Sequence, residues 1–231
     1  MSWVRQALSS TIGAKVVVAL TGIVLVGFVI GHMLGNLQIF LGQDVLNNYA
    51  KMLHDTPALL WAARIVLIVA FFAHIGMTIK LTRDNRRARP QAYAHQKSIQ
   101  SSSASRTMIF SGLLVLSFVI YHLLHFTFGV THPEHKSLLD SMGRPDVYSM
   151  VILGFTNLWV SLSYMIAMVL LGLHLNHGVS SLWQTLGLNH AKYNMLIKTS
   201  GPAISLLIVA GNLSMPAAVL FGFLSLPTGV V

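Results

Sequence analysis

Between Thr107 and Phe128 the chain runs for 22 residues without an Asp, Glu, Lys or Arg, yet it carries two histidines, His122 and His125. At about 1.5 Å per residue, a helix of that length crosses a hydrocarbon core of roughly 30 Å. An ionisable side chain is costly in lipid, so it turns to the bundle interior and marks a functional site whose partner lies elsewhere in the chain. Three further apolar runs carry histidines: His32 within Val16 to Gln43, His74 within Ala58 to Ile79, and His174 with His177 at the end of Tyr148 to His177. Neutral imidazole is both a metal ligand and a hydrogen-bond partner. No span contains an acid of the kind a proton relay would use.

Counting helix rise from the flanking charges places these histidines at two depths. His32 lies about 25 Å from Lys15, and His122 about 24 Å from Arg106. His125 would lie roughly 4 Å farther out and is the poorer match to His32. His74 precedes Lys80 by about 9 Å. Its counterpart is His174, a turn above Gly178, in preference to His177 at the boundary. The two levels, His32 with His122 and His74 with His174, are roughly 15 Å apart. Two neutral imidazoles facing across a bundle core suit the two axial positions of a b-type haem. With both positions taken, such an iron transfers electrons and binds no substrate. Hydrogen bonding between helices, at about a kcal/mol each, is the simpler rival. Zinc would want three or four ligands converging. His125 and His177 are candidates to bond haem propionates or a quinone carbonyl, and Arg83 and Arg106 are further candidate haem contacts.

These residues must be positioned by a membrane bundle. Of 231 residues, 54% are hydrophobic and 9% charged, and the mean hydropathy is +0.68, which excludes an ordinary soluble domain. The absence of cysteine excludes disulfides, a cysteine-held iron–sulfur cluster in this chain and covalent haem attachment. The first apolar run outlasts a signal h-region, so it is expected to stay as the first span. The expected fold is an all-α bundle of five transmembrane helices in one domain, 1–231, with spans near 15–42, 58–80, 106–129, 148–177 and 198–224. No internal repeat is read. Gly22, Gly27 and Gly31 allow close approach of a helix or a flat cofactor, and Pro216 is expected to kink the last span.

The net charge of +9 follows from topology and does not indicate nucleic acid. Arg5, Lys15, Lys80, Arg83, Arg86, Arg87, Arg89, Lys97, Arg106, Lys192 and Lys198 fall in connectors on one side, against Lys51, Lys136 and Arg144 on the other. The positive-inside bias places the N-terminus inside and the C-terminus outside. Arg64 can snorkel, and Ser101-Ser102-Ser103 reads as a flexible link. Asp44 to Pro57 carries Val45, Tyr49, Met52 and Leu53 at helical spacing, an amphipathic helix in the outer interface. The polar groups Asn36, Gln38, Asn47, Tyr49, His54 and Asp55 gather there and are the candidate quinone site. In the other outer loop His132, Glu134 and His135 could bind a metal, although loop histidines beside a carboxylate are more often simply solvated.

The residues resemble a known family, the five-span, di-haem cytochrome b membrane-anchor subunits of succinate:quinone oxidoreductases (succinate dehydrogenases and fumarate reductases). The likeness lies in Ser9-Ser10-Thr11-Ile12-Gly13-Ala14-Lys15 leading to Ala19-Leu20-Thr21-Gly22, in Gly31-His32-Met33-Leu34-Gly35-Asn36, in Tyr121-His122-Leu123-Leu124-His125-Phe126 and in Leu173-His174-Leu175-Asn176-His177-Gly178. It implies that His32 and His122 hold a distal haem b, and His74 and His174 a proximal one beside an iron–sulfur subunit. It further implies an FAD flavoprotein partner that interconverts succinate and fumarate, a menaquinone or ubiquinone site on this chain, and a bacterial inner-membrane location. No dicarboxylate-handling catalytic residue is expected here. Some members of the family place an acid in a span, whereas this chain has Gly172 near the proximal histidine. A cytochrome b of another quinone-linked dehydrogenase, such as a hydrogenase or formate dehydrogenase, and a haem-free scaffold or transporter are the alternatives.

Overall fold

The computed structural model describes residues 2–88, 91, 103–188 and 190–227; Arg89, Lys97 and the serines of the link at 101–102 lie outside them. Among the described residues the chain is helical, apart from an isolated bridge between Leu139 and Pro145. The helices are α1 (Ser2–Ser9), α2 (Thr11–Asn36), α3 (Gln43–Asp55), α4 (Pro57–Arg87), α5 (Ser103–Arg106), α6 (Met108–His122), α7 (Pro133–Lys136), α8 (Val147–Thr156), α9 (Leu158–Thr185) and α10 (Asn194–Leu220). A π-helical turn, Leu123–Thr127, continues α6. Five of these, α2, α4, α6 with its π-turn, α9 and α10, are long and apolar enough to cross a membrane. Their starts are chemically marked. Ser10 accepts from the Gly13 amide at 3.0 Å to cap α2, and Pro57 opens α4 where a missing N–H costs nothing.

The expected span at 148–177 is two helices. Asn157 interrupts it, its side-chain oxygen accepting from the amides of Trp159 at 3.0 Å and Val160 at 3.3 Å, so the residue caps α9 and ends α8. An Asn amide competes with the backbone ladder in this way wherever it can reach free N–H groups. Ser161 donates back across the break to the Phe155 carbonyl at 2.6 Å. The crossing helix is therefore α9, and α8 belongs to the cap at the end of the bundle away from the basic loop. α10 continues as one helix through both Pro202 and Pro216.

Packing divides the bundle unevenly. α9 lies against α10, α2 against α4, α6 against α9, and α2 also touches α9. By contrast α2 and α6, and likewise α4 and α9, hardly meet along their backbones. In the most apolar windows of α2, α4 and α6, 11, 6 and 6% of residues are buried, against 33% in each of α9 and α10. Close approach of α9 and α10 depends on glycine. A Cβ at Gly201 would sit 2.4 Å from the Asn176 carbonyl oxygen and 2.1 Å from Ser180 Oγ, and one at Gly172 would sit 2.3 Å from Val209 Cγ2. Since a backbone carbonyl cannot swing aside, Gly201→Ala is expected to force the pair apart and lower the thermal midpoint by several degrees, measured on the full chain in detergent. At Gly172, Val209 leaves no room for any side chain, acidic or otherwise.

At the end opposite the basic loop, α3, the 129–147 loop and α8 form a lid. Asn47, fully buried, donates to Asp140 Oδ2 at 3.1 Å and Asp146 Oδ1 at 3.0 Å, and accepts from the Tyr148 amide at 3.0 Å. Arg144 donates to Asp140 at 2.7 Å, Asp44 at 2.8 Å and Asn48 at 2.5 Å, and Gln43 donates to Asp146 at 2.8 Å. Beneath this network lies an apolar cluster of Ile39, Leu46, Tyr148, Ile152, Phe155, Tyr164, Met215 and Val219. The lid thus ties residues 43–48 to residues nearly a hundred positions later and closes the bundle over α6.

Candidate functional site

Four spans bring the four histidines together in two pairs. At the lid end, His32 on α2 and His122 on α6 meet edge to face, ring centres 5.8 Å apart. A metal between two imidazoles, bonded to each at about 2 Å, sets ring centres roughly 6 Å apart. The pair stands near that separation. His122, not His125, is the ring that faces His32, as the depth count favours. At the basic end, His174 on α9 has His74 on α4 as a neighbour. Each inner histidine rests against a glycine on the neighbouring span: a Cβ at Gly22 would lie 3.7 Å from His74 Cε1, and one at Gly112 would lie 3.5 Å from His174 Cε1.

Hydroxyl groups fix how the rings present themselves. Thr21 donates its single hydroxyl proton to the Val17 carbonyl at 2.7 Å, so toward His74 Nδ1 at 3.2 Å it acts as an acceptor. Ser111 donates to the Met108 carbonyl at 3.1 Å and in the same way accepts from His174 Nδ1 at 3.1 Å. The Val18 carbonyl is a further acceptor for the His74 ring. With Nδ1 of each inner ring facing a hydroxyl oxygen, Nε2 is the nitrogen left to a metal, the arrangement in which an imidazole binds metal while its other nitrogen is held by an outer partner. Tyr164 on α9 plays the corresponding part at the lid end, its oxygen 3.5 Å from His122 Nδ1 and 3.0 Å from His125 Nδ1. Asn36, one turn beyond His32, donates its amide to His32 Nε2 at 3.0 Å and so marks the lone pair there as well.

Thr21, Ser111 and Tyr164 are absent from the sequence expectations. Two of them carry a readable signal. Thr21-Gly22 precedes His32 as Ser111-Gly112 precedes His122, with nine residues between glycine and histidine in each case. Eleven residues at 100° each is about 1100°, within ~20° of three full turns, so hydroxyl and histidine share one face about 16 Å apart. The same hydroxyl-glycine spacing to histidine thus occurs on both helices. It places the two levels by one rule on α2 and on α6.

The other expected residues are scattered. His125 is 3% exposed, and its Nε2 is buried without a partner. His177 lies one turn beyond His174, half-buried. Arg83 and Arg106, at the ends of α4 and α5, are exposed. The quinone set does not form one site. Asn36 bonds His32, Tyr49 packs where Gly35 has no side chain, and Gln38 is half-buried in the turn after α2. Asn47 is spent entirely on the lid. His54, donating to the Ala50 carbonyl at 2.8 Å, and Asp55, paired with Lys51, line a cavity of about 250 Å³ with Arg144, smaller than the ~300 Å³ at which ligand pockets begin.

Compared with models of protein families, with curated proteins and with solved structures, the chain matches none of them.

Proposed function

We propose that this chain is the membrane cytochrome b subunit of a succinate:quinone oxidoreductase, carrying electrons between a peripheral iron–sulfur subunit and membrane quinone. The observation that carries the reading is the pairing of four histidines from four spans at two levels, three of them with Nδ1 facing a hydroxyl oxygen. The donor set fits two b haems, since neutral imidazoles meet in pairs between helices whose backbones stand apart. A haem held by each pair would supply a one-electron couple. His32 and His122 hold the lid-end group, and His74 and His174 the basic-end group. Thr21, Ser111 and Tyr164 orient the rings and raise their basicity by accepting from Nδ1. The glycines at 22 and 112 let the inner rings approach the neighbouring helix.

The basic end, with Lys80, Arg83, Arg86 and Arg87 closing α4, is the cytoplasmic face of a bacterial inner membrane, where the iron–sulfur and FAD subunits dock. Quinone binds at the lid end beside His32, among Asn36, Gln38 and Tyr49. The dicarboxylate chemistry stays on the flavoprotein.

The test is a reduced-minus-oxidised absorption spectrum with haem quantified per chain, on protein purified with its partners. Two b haems per chain and co-purifying iron–sulfur and flavin subunits are expected; a haem-free chain overturns the reading. Ser111→Ala and Thr21→Val carry the next expectation. Losing the acceptor makes the imidazole a weaker donor to ferric iron, so the midpoint potential of the basic-end haem rises while that of the lid-end haem stays. Redox titration followed at each haem's absorption maximum checks this.

A further inference from the structure

Outside the paired histidines, one cluster of ligating side chains stands apart. His132, Glu134 and His135, on and just before the four-residue helix α7, offer three ligand atoms within 4.8 Å of one another. His132 Nδ1 is 3.1 Å from Glu134 Oε1, and His135 Nε2 is 3.8 Å from the same oxygen. The two rings are stacked at 4.8 Å with an interplanar angle of 14°, so both edges are turned to one carboxylate. Ligands of a tetrahedral zinc bonded at about 2.0 Å stand roughly 3.3 Å apart. The His132–Glu134 pair is already inside that distance, and the His135–Glu134 pair is about 0.5 Å outside it.

Two more observations favour an ion over a solvated ion pair. The backbone here is pinned, with Lys136 Nζ donating to the Thr127 carbonyl at 2.9 Å and the His135 amide to the His132 carbonyl at 3.2 Å. That turns the one nearby cation of α7 away from the cluster. His135 Nδ1 and the adjoining His125 Nε2 are both buried without a partner, and the His125 ring centre lies 5.7 Å from that of His132. Burial and the neighbouring His132 hold His135 below its ordinary pKa, and hydrogen bonds from its own backbone amide and His132 do the same for Glu134.

The geometry points to a site for one zinc-class divalent cation at His132, Glu134 and His135, with solvent completing the coordination. Such an ion closes residues 132–135 of the 129–147 loop on themselves, beside the π-turn that carries His125. It is separate from the paired-histidine levels and does not depend on what they hold.

The full chain without an affinity tag, purified with its bound cofactors, is dialysed against micromolar Zn²⁺ and its zinc content measured. Wild type is expected to hold one zinc per chain more than the His132→Ala/His135→Ala double variant. Glu134→Gln is expected to weaken binding roughly tenfold or more, since even outer partners of a metal site contribute that much. His54→Ala, on α3, is expected to match wild type. Circular dichroism shows that each variant keeps its helix content. Equal zinc in wild type and the double variant, or no zinc in either, overturns the site. Because zinc is counted as a difference between variants, this outcome is independent of the haem count.

Discussion

His122→Ala is expected to hold one haem per chain where the wild type holds two, and His32→Ala to lose the same one. The His32 and His122 rings meet at 5.8 Å, and among the described residues no third imidazole has a ring contact with His32. His125 is the nearest substitute in sequence, but its Nδ1 is engaged by Tyr164 at 3.0 Å and its ring stacks on Phe126 with centres 4.0 Å apart. To reach His32 it would have to leave the π-turn. His74→Ala and His174→Ala are expected to remove the other haem, leaving the lid-end spectrum intact, while His125→Ala keeps both. Haem and iron assays with low-temperature difference spectra separate these outcomes. Retention of both haems in His122→Ala would show that the pairing is misassigned.

Asn47→Leu is expected to destabilise the lid by about 2–4 kcal/mol, although the branched heavy-atom skeleton is kept. The Asn amide makes three hydrogen bonds in a fully buried position. Leucine leaves the Tyr148 amide without an acceptor and strips a donor from each of two buried carboxylates. Thermal unfolding in detergent, with cleavage in the 129–147 loop as a local probe, measures the effect. A loss of quinone turnover without a loss of lid stability would instead return Asn47 to the quinone site. The network also sets an acid limit. Burial raises the Asp140 pKa, but donation from the Arg144 amide and guanidinium, from Asn47 and from the Met142 amide outweighs it and holds the group down at about 2. A depressed carboxylate stabilises the fold fully above its unfolded value of about 4, and that contribution disappears as pH falls through about 2. With one donor gone, the Asn47→Leu lid is expected to open at a higher pH than the wild-type lid.

Much of this architecture is readable in the chain because hydropathy and depth are one-dimensional. Five apolar runs give five crossing helices, and counting rise from Lys15 and Arg106 selects His122 over His125. Asn157 hides inside an apolar run, where hydropathy averages over a single amide that nonetheless ends a helix. Thr21 and Ser111 are unremarkable as hydroxyls in apolar helices, which usually bond to their own backbone. Their role appears only when their eleven-residue register to His32 and His122 is set beside the facing spans. Asn47 meets partners 93 to 101 residues away, a relation that no local pattern encodes. The quinone set failed to converge for the same reason: interfacial polarity finds the lid but does not divide lid bonds from ligand contacts.

The uneven burial of the five spans bears on how such a chain is put together. With α9 and α10 locked through Gly172 and Gly201, and α4 and α6 almost without buried residues of their own, the C-terminal hairpin is the pre-assembled half of the bundle. Lipid tails give no hydrophobic gain for closing the rest. Packing of α4 on α2 and of α6 on α9 supplies part of the docking energy; if the histidines hold haem as proposed, their grip adds the rest, and haem insertion would then be coupled to membrane folding.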